Sequence, residues 1–395
     1  MWVYIFLQIV VLCGLVCEQK VCPVYSPKAR GFGAFLFVVV LGLVVGLRDM
    51  MGGYDVCVYA NVFENLAQEQ IFSWEMFFSL SNENRTMGME PGWILYNVLI
   101  GKLTSSTYAF FFITSLLSYL ALYRHLRKYA PYFFFALLII FCRQYLQSFI
   151  YVRQFMACMV AWFALDFAIK RKLFPFLVIV FVATNIHTCG LIFLFVYPIS
   201  RWRMPIWVMI GGISVALVLG LTPVFGALLN SLGGLIGNEK AIGYSEGTGG
   251  GAHLFYAIEG LLMAVAMLMA RPSIYGASHR ERYMQQFSKL EKYIPKVSAE
   301  STAQTVCLFN VMYLYVCASL TTLQSPGMMR LIWVFWIGPI CMLPYICERM
   351  VAGNGKNLFK FLVVVYFVTA FWLFACRFDN GELLDYKTFL FVFAR

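Results

Sequence analysis

Long apolar runs, separated by short charged loops, constrain this chain more than any other feature. They lie at 2–17, 31–47, 106–123, 130–142, 145–168, 173–199, 205–222, 252–270, 303–322, 331–347 and 358–376, with a weaker interfacial candidate at 91–101. A helix needs about 20 apolar residues to cross the hydrocarbon core of a bilayer. Only helices and closed barrels can cross it, and a barrel would show short strands of alternating polarity instead. Of the 395 residues, 61% are hydrophobic and 12% charged, whereas a soluble domain is about 45–50% apolar and about 25% charged. A soluble enzyme, a disordered chain and a nucleic-acid-binding module are thereby excluded. The expected fold is all-α: one polytopic membrane domain over 1–395, with about 10–12 transmembrane helices.

Charge sets the expected orientation. The net charge is +11, and 20 of the 30 Lys and Arg residues fall in six groups: Lys20–Arg30, Arg124–Lys128, Lys170–Lys172, Arg201–Arg203, residues 271–300 and Arg349–Lys360. Cytoplasmic loops carry such an excess. The six groups are therefore predicted to be cytoplasmic, with 271–300 an amphipathic loop along that surface. Loop 48–92 holds two basic and seven acidic residues, and loop 223–251 is Gly-rich and nearly uncharged; both are predicted to face outward. The parity closes only if 173–199 enters and leaves on the same side, as a hairpin turning outward at Asn185–Gly190. No basic residue precedes the first apolar run, so that run is read as a retained helix with its N-terminus outside rather than a signal peptide. The 12 Cys are scattered and form no CxxC pair, which suits small apolar fillers better than a metal site.

Ionisable groups near membrane depth cost free energy and are candidates for function. Arg48, Asp49, Asp55 and Tyr59 cluster at the outer end of the second run, among glycines that permit tight turns; a capped helix end is the plainer alternative. Glu90 precedes Pro91, with Trp93, Tyr96 and Asn97 following, an arrangement that fits either a helix start or a sugar site. Arg143, Gln147, Tyr151 and Gln154 step by helical intervals, so on a single helix they share one face, with Arg153 near it and about two turns in. A guanidinium is a planar fork suited to phosphate oxygens. Asn185, Ile186, His187 and Thr188 sit at the hairpin tip. Arg330 opens a late apolar run and is a second candidate phosphate clamp, or an interfacial anchor. These candidates all map to the outer face. That suits a lipid-phosphate-linked sugar, and no nucleotide loop or zinc-protease motif is present.

The segments GLRD and GGYDVCVYANVF, then MEPGWILYN, YVRQFMACMVAW, NIHTCGLI and SPGMMRLIW, occur in this order over residues 46–336. In that order they resemble the EpsG family of bacterial membrane proteins, which is similar to the Wzy-type polysaccharide polymerases. The chain departs from the family's usual pattern at Val56, where Thr is frequent, and at Cys189, where a small hydroxyl residue is common.

The resemblance implies an enzyme that joins undecaprenyl-diphosphate-linked oligosaccharide repeat units into a capsular or exopolysaccharide. Its fold would be similar to other lipid-dependent polytopic glycosyltransferases. It would work at the outer face of the bacterial cytoplasmic (inner) membrane, without metal or other cofactor. A flippase and a chain-length regulator are the implied partners, and nucleic acid is not. On this reading Arg153 and Arg330, with Arg48, hold the donor diphosphate. His187, Glu90 and Asp55 are candidates for the base, His187 first because its unperturbed pKa lies near neutrality. Asp49, Tyr59, Arg143, Tyr151 and Gln154 are expected to bind substrate. Two alternatives are a transporter of lipid-linked glycans, disfavoured by the one-sided charges, and a sugar O-acyltransferase, which would need its key residues near the inner face.

Overall fold

A computed structural model describes residues 1–21, 31–67, 88–222, 224, 227, 252–275, 299–323, 332–349 and 355–390. Among them the fold is all-helical, with a single isolated backbone bridge, Arg48 to Thr388, in place of any sheet. The helices are α1 (Trp2–Val21), α2 (Phe32–Gly46), α3 (Tyr54–Ala67), α4 (Pro91–Gly101), α5 (Thr107–Tyr129), α6 (Phe133–Ile150), α7 (Val152–Ile169), α8 (Leu173–Ile186), α9 (Thr188–Ile199), α10 (Ile206–Leu221), α11 (Ala252–Tyr275), α12 (Ala299–Thr321), α13 (Ile337–Arg349) and α14 (Gly355–Arg377). Six of them, within α5, α6, α7, α11, α12 and α14, are long and apolar enough to span a membrane, and shorter apolar helices accompany them. The chain is a polytopic membrane protein.

The chain packs as two compact units. The first holds residues 1–163, 178–191 and 352–395; the second holds 164–177 and 192–351. In the second, Asn310 of α12 donates to the carbonyls of Ile199 and Trp202 (2.5 and 2.9 Å) and accepts from the Tyr275 hydroxyl. Arg171 donates to the Tyr197 carbonyl at 2.8 Å, and the Tyr197 hydroxyl donates back to Arg171 O at 3.0 Å, which ties the basic turn after α7 to the end of α9.

In the first unit, local chemistry fixes the helix ends. Glu18 of α1 accepts from the backbone N–H groups of Phe133, Phe134 and Phe135 (2.6, 3.0 and 3.4 Å). A carboxylate at a helix N-terminus satisfies orphan donors and complements the helix dipole. Arg48 is 2% exposed. Its Nη1, Nε and Nη2 donate to the carbonyls of Val45 (2.5 Å), Met51 (3.1 Å) and Phe149 (2.9 Å), and its guanidinium lies over the rings of Phe111 and Phe149. The end of α2, the turn before α3 and the end of α6 are thereby tied to one side chain. Gly52 belongs to the same junction. Its φ of +124° is a conformation that suits glycine, and a Cβ there would lie 2.8 Å from the Phe149 carbonyl. Beyond it, the N–H groups of Asp49 and Phe389 donate to Lys387 O (2.9 Å) and Leu47 O (3.3 Å), which lays the C-terminal segment beside residues 47–49.

Several sequence expectations need correction. The predicted break between 130–142 and 145–168 falls later. The helix continues through Phe141–Tyr145 as a π turn and stops at Tyr151 (φ −97°, ψ 55°). Arg143 and Gln147 therefore belong to α6 while Gln154 belongs to α7, so they do not share the face of one helix. Arg153 lies in the first turn of α7, not two turns in. The segment 48–92, expected as a loop, contains the helix α3. Loop 223–251 and most of 271–300 lie outside the described residues. The hairpin at 185–190 is present: α8 ends at Ile186 and α9 begins at Thr188.

Replacing Arg48 by Lys leaves a point charge where a fork reaches three carbonyls. A hydrogen bond to a charged group contributes about 1.5–3 kcal/mol, so losing two should destabilise by at least about 3 kcal/mol. Thermal unfolding of the detergent-purified R48K protein should show a clearly lower midpoint. An unchanged midpoint would mean the junction is held by something else.

Candidate active site

The site is built from three chain segments of the first unit, and its centre is Glu90. Glu90 stands at the N-cap of α4 with Pro91 as the first helical residue, yet its side chain makes no capping bond. It turns away from its own helix instead. Its Oε2 pairs with Arg153 Nη1, and its Oε1 accepts from the Thr188 N–H at 2.9 Å. One carboxylate thus fastens the start of α7 to the α8–α9 tip. Both partners of the ion pair are largely buried, at 15% and 16% side-chain exposure. Such a pair is strengthened by its surroundings and destabilising if broken. Arg153 Nε is enclosed and makes no hydrogen bond among the described residues.

Sterics bring the same segments together. A Cβ on Gly92 would lie 2.8 Å from both Cβ and O of Asn185, so α4 can abut the end of α8 only with glycine there. Asn185 in turn donates from Nδ2 to Phe181 O at 2.9 Å. At the tip, the His187 N–H donates to Ala183 O (3.0 Å) and Gly190 N–H to His187 O (2.9 Å). The Cys189 N–H donates to His187 Nδ1 at 3.1 Å. The Cys189 side chain lies against both Cys158 on α7 and the His187 imidazole. The imidazole is therefore held from the side of Nδ1, and the tip is joined to α7 at two levels.

Not every residue singled out by sequence gathers here. Arg48 is occupied by backbone carbonyls, as described, and is a brace rather than a free clamp. Asp49 accepts from the Tyr108 hydroxyl at 2.9 Å and forms no ion pair with Arg48. Tyr59 is buried edge-on to Trp93 (5.9 Å), joining α3 to α4. Arg143 is buried within the π turn of α6, and Gln154 is buried on α7. Tyr151 forms the break itself. Asp55 lies half-buried in the first turn of α3. Arg330 lies outside the described residues. Gly92, the Thr188 N–H and the Cys158–Cys189 contact escaped sequence reasoning. For the first, a Gly directly after Glu-Pro is a usable signal; a backbone donor and a thiol pair leave none.

The fold is that of a multi-pass helical membrane protein; comparison with known proteins supplies the family. The family model described as the EpsG family matches residues 33–388, nearly the whole chain, and the protein belongs to that family. The family is polysaccharide polymerase-like, which places the chain in polysaccharide biosynthesis. No curated protein and no solved structure matches the chain.

Glu90→Gln keeps the shape and an acceptor for the Thr188 N–H but removes the charge opposite Arg153. Leaving that guanidinium largely buried and unneutralised should destabilise by about 1–3 kcal/mol. The unfolding midpoint in detergent should fall, and replacing both Glu90 by Gln and Arg153 by Met should recover some of the loss. Additive losses in the double variant would show that the two side chains do not act as a pair.

Proposed function

We propose that this protein is a polymerase that joins undecaprenyl-diphosphate-linked repeat units into a capsular or exopolysaccharide at the outer face of the cytoplasmic membrane. The observation that carries this is the convergence of Glu90, Arg153 and His187 from three distant segments of an EpsG-family membrane protein. The facing is supported by charge. The basic groups at Arg124–Lys128 and Lys170–Lys172 flank α6 and α7 at their far ends. If α6 and α7 both span, the Tyr151 break lies opposite those groups, on the outward side. The hairpin tip follows by the same count.

The growing chain is the donor and a single lipid-linked unit the acceptor. The acceptor hydroxyl oxygen attacks the anomeric carbon of the donor sugar. The bond from that carbon to the diphosphate oxygen breaks, and its electron pair leaves with the diphosphate. Arg153 balances the charge that develops there, and such placed charge is worth most in a site shielded from water. Glu90 orients Arg153 by taking one of its terminal nitrogens, leaving Nη2 for the ligand. Asp55 and His187 are the candidates we propose for accepting the hydroxyl proton. A flippase would deliver the units, and a chain-length regulator would act on the product.

The test is a reaction of purified protein in liposomes with a lipid-diphosphate-linked oligosaccharide from the host's pathway, its products resolved by length. A ladder of multimers is expected. Arg153→Lys should slow its formation by about 100-fold or more, in line with loss of one preorganised donor. A near-normal ladder from R153K would remove Arg153 from the diphosphate site. Movement of intact lipid between leaflets with no ladder would make the protein a transporter.

A further inference from the structure

His187 combines two observations that fix where its proton is. A backbone N–H can only donate, so Nδ1, which receives the Cys189 N–H at 3.1 Å, must present its lone pair. A neutral imidazole carries one N–H, so the proton resides on Nε2. The other polar group set against the ring is the Cys189 side chain, on the same residue that bonds Nδ1; Nε2 is not one of the fully enclosed polar atoms although the residue is only 7% exposed. The ring is thus held by its back edge, and its other edge carries a hydrogen, not a lone pair. A general base acting through Nε2 requires the opposite tautomer.

The neighbours fit a donor role. Glu90 bonds Arg153 through one oxygen and the N–H of Thr188, the residue after His187, through the other. The guanidinium and the hairpin tip are therefore held within a carboxylate's width of each other. The Glu90 carboxylate, the other acceptor at this junction, is already engaged by these two donors. For an anionic oxygen at this junction the donors on offer are Arg153 Nη2 and the His187 Nε2–H. We infer that His187 is a hydrogen-bond donor to the oxygen of the departing diphosphate, acting beside Arg153, and does not accept the acceptor's proton. For that proton the sequence offers Asp55, in the first turn of α3. This assignment rests on the polymerase reading for its substrate, but the tautomer does not.

Two measurements test it. The first uses protein in nanodiscs with 15N-labelled histidine; the chain has only four His, and the signal absent from H187Q identifies the one in question. Nε2 should show a directly bonded proton and Nδ1 none at neutral pH; a proton on Nδ1 overturns the inference whatever the protein's substrate. The second compares His187→Gln, His187→Asn and His187→Ala in the liposome reaction. The Gln amide nitrogen falls near the Nε2 position and can donate but cannot act as a base. The Asn oxygen falls near Nδ1 and restores only the bond from Cys189. H187Q should keep its rate within about tenfold of wild type, while H187N and H187A lose about 100-fold, chiefly in kcat. Equal loss in H187Q and H187A, or better function in H187N than in H187Q, overturns the donor role. If wild-type protein makes no ladder, the polymerase reading fails, and the spectrum alone still decides the tautomer.

Discussion

A buried cation without a carboxylate partner organises the first unit. Taking a guanidinium out of water is costly, and proteins usually offset this with a counter-charge. Here Arg48 is offset by three carbonyl dipoles and two aromatic faces. Each of those carbonyls lies where regular structure ends: Val45 in the last turn of α2, Met51 in the turn before α3, and Phe149 just before the break at Tyr151. In a bilayer such orphan acceptors have no water to turn to. The chain can therefore stop three times in one place because a single five-donor side chain serves the stops. Without that junction the break at Tyr151, and with it the position of Arg153, would have no fixed reference.

Glu90 plays the complementary role at a second junction. It is a largely buried anion that receives a cation and a backbone donor. Charges of both signs thus hold segments remote in sequence: 45–51 against 149, and 90 against 153 and 188. The division of labour is consistent with the chemistry of each group. The fork of Arg48 suits several carbonyls; the two oxygens of Glu90 suit two donors from different directions. A site fixed in this way is preorganised, which is what stabilising a developing charge demands. It also explains why acidic and basic residues that look catalytic in sequence can be structural: the same cost of burial selects for both uses.

The fold was legible in the sequence wherever the bilayer dictates it. The apolar runs became helices, and the hairpin at 185–190 was marked by polar Asn-Ile-His-Thr inside an apolar stretch too long for one span. What escaped was local. Arg143 and Gln144 look like a loop between spans, but a π turn carries them inside α6, and the true break at Tyr151 has no Gly or Pro to announce it. The helix α3 carries Asp55 and Glu64 and is too short to span, so nothing distinguished it from the surrounding loop. Within the site, the sequence singled out Glu90, Arg153 and His187 individually. It did not show that the first two are paired, nor which edge of the imidazole is held, because the pairing and the placing of the tip depend on contacts 63 and 98 residues apart. Arg48 next to Asp49 looked like a member of a ligand cluster; the structure sends the two side chains in different directions.

The one-residue connection between α6 and α7 has a consequence for how the chain is made. Helix α6 is 94% buried along its apolar window and carries Arg143, Gln144 and Gln147. Facing lipid alone, it would be an expensive passenger in the membrane. A single residue cannot wait on the far side as a folded loop while the next span is synthesised. The two helices must therefore enter in quick succession, and because they touch one another only next to the break, the polar groups of α6 depend for shelter on helices other than α7. The order of synthesis, α1 to α5 first, supplies that shelter: Glu18 is in place to receive the start of α6, and Arg48 to receive its end, before either end exists.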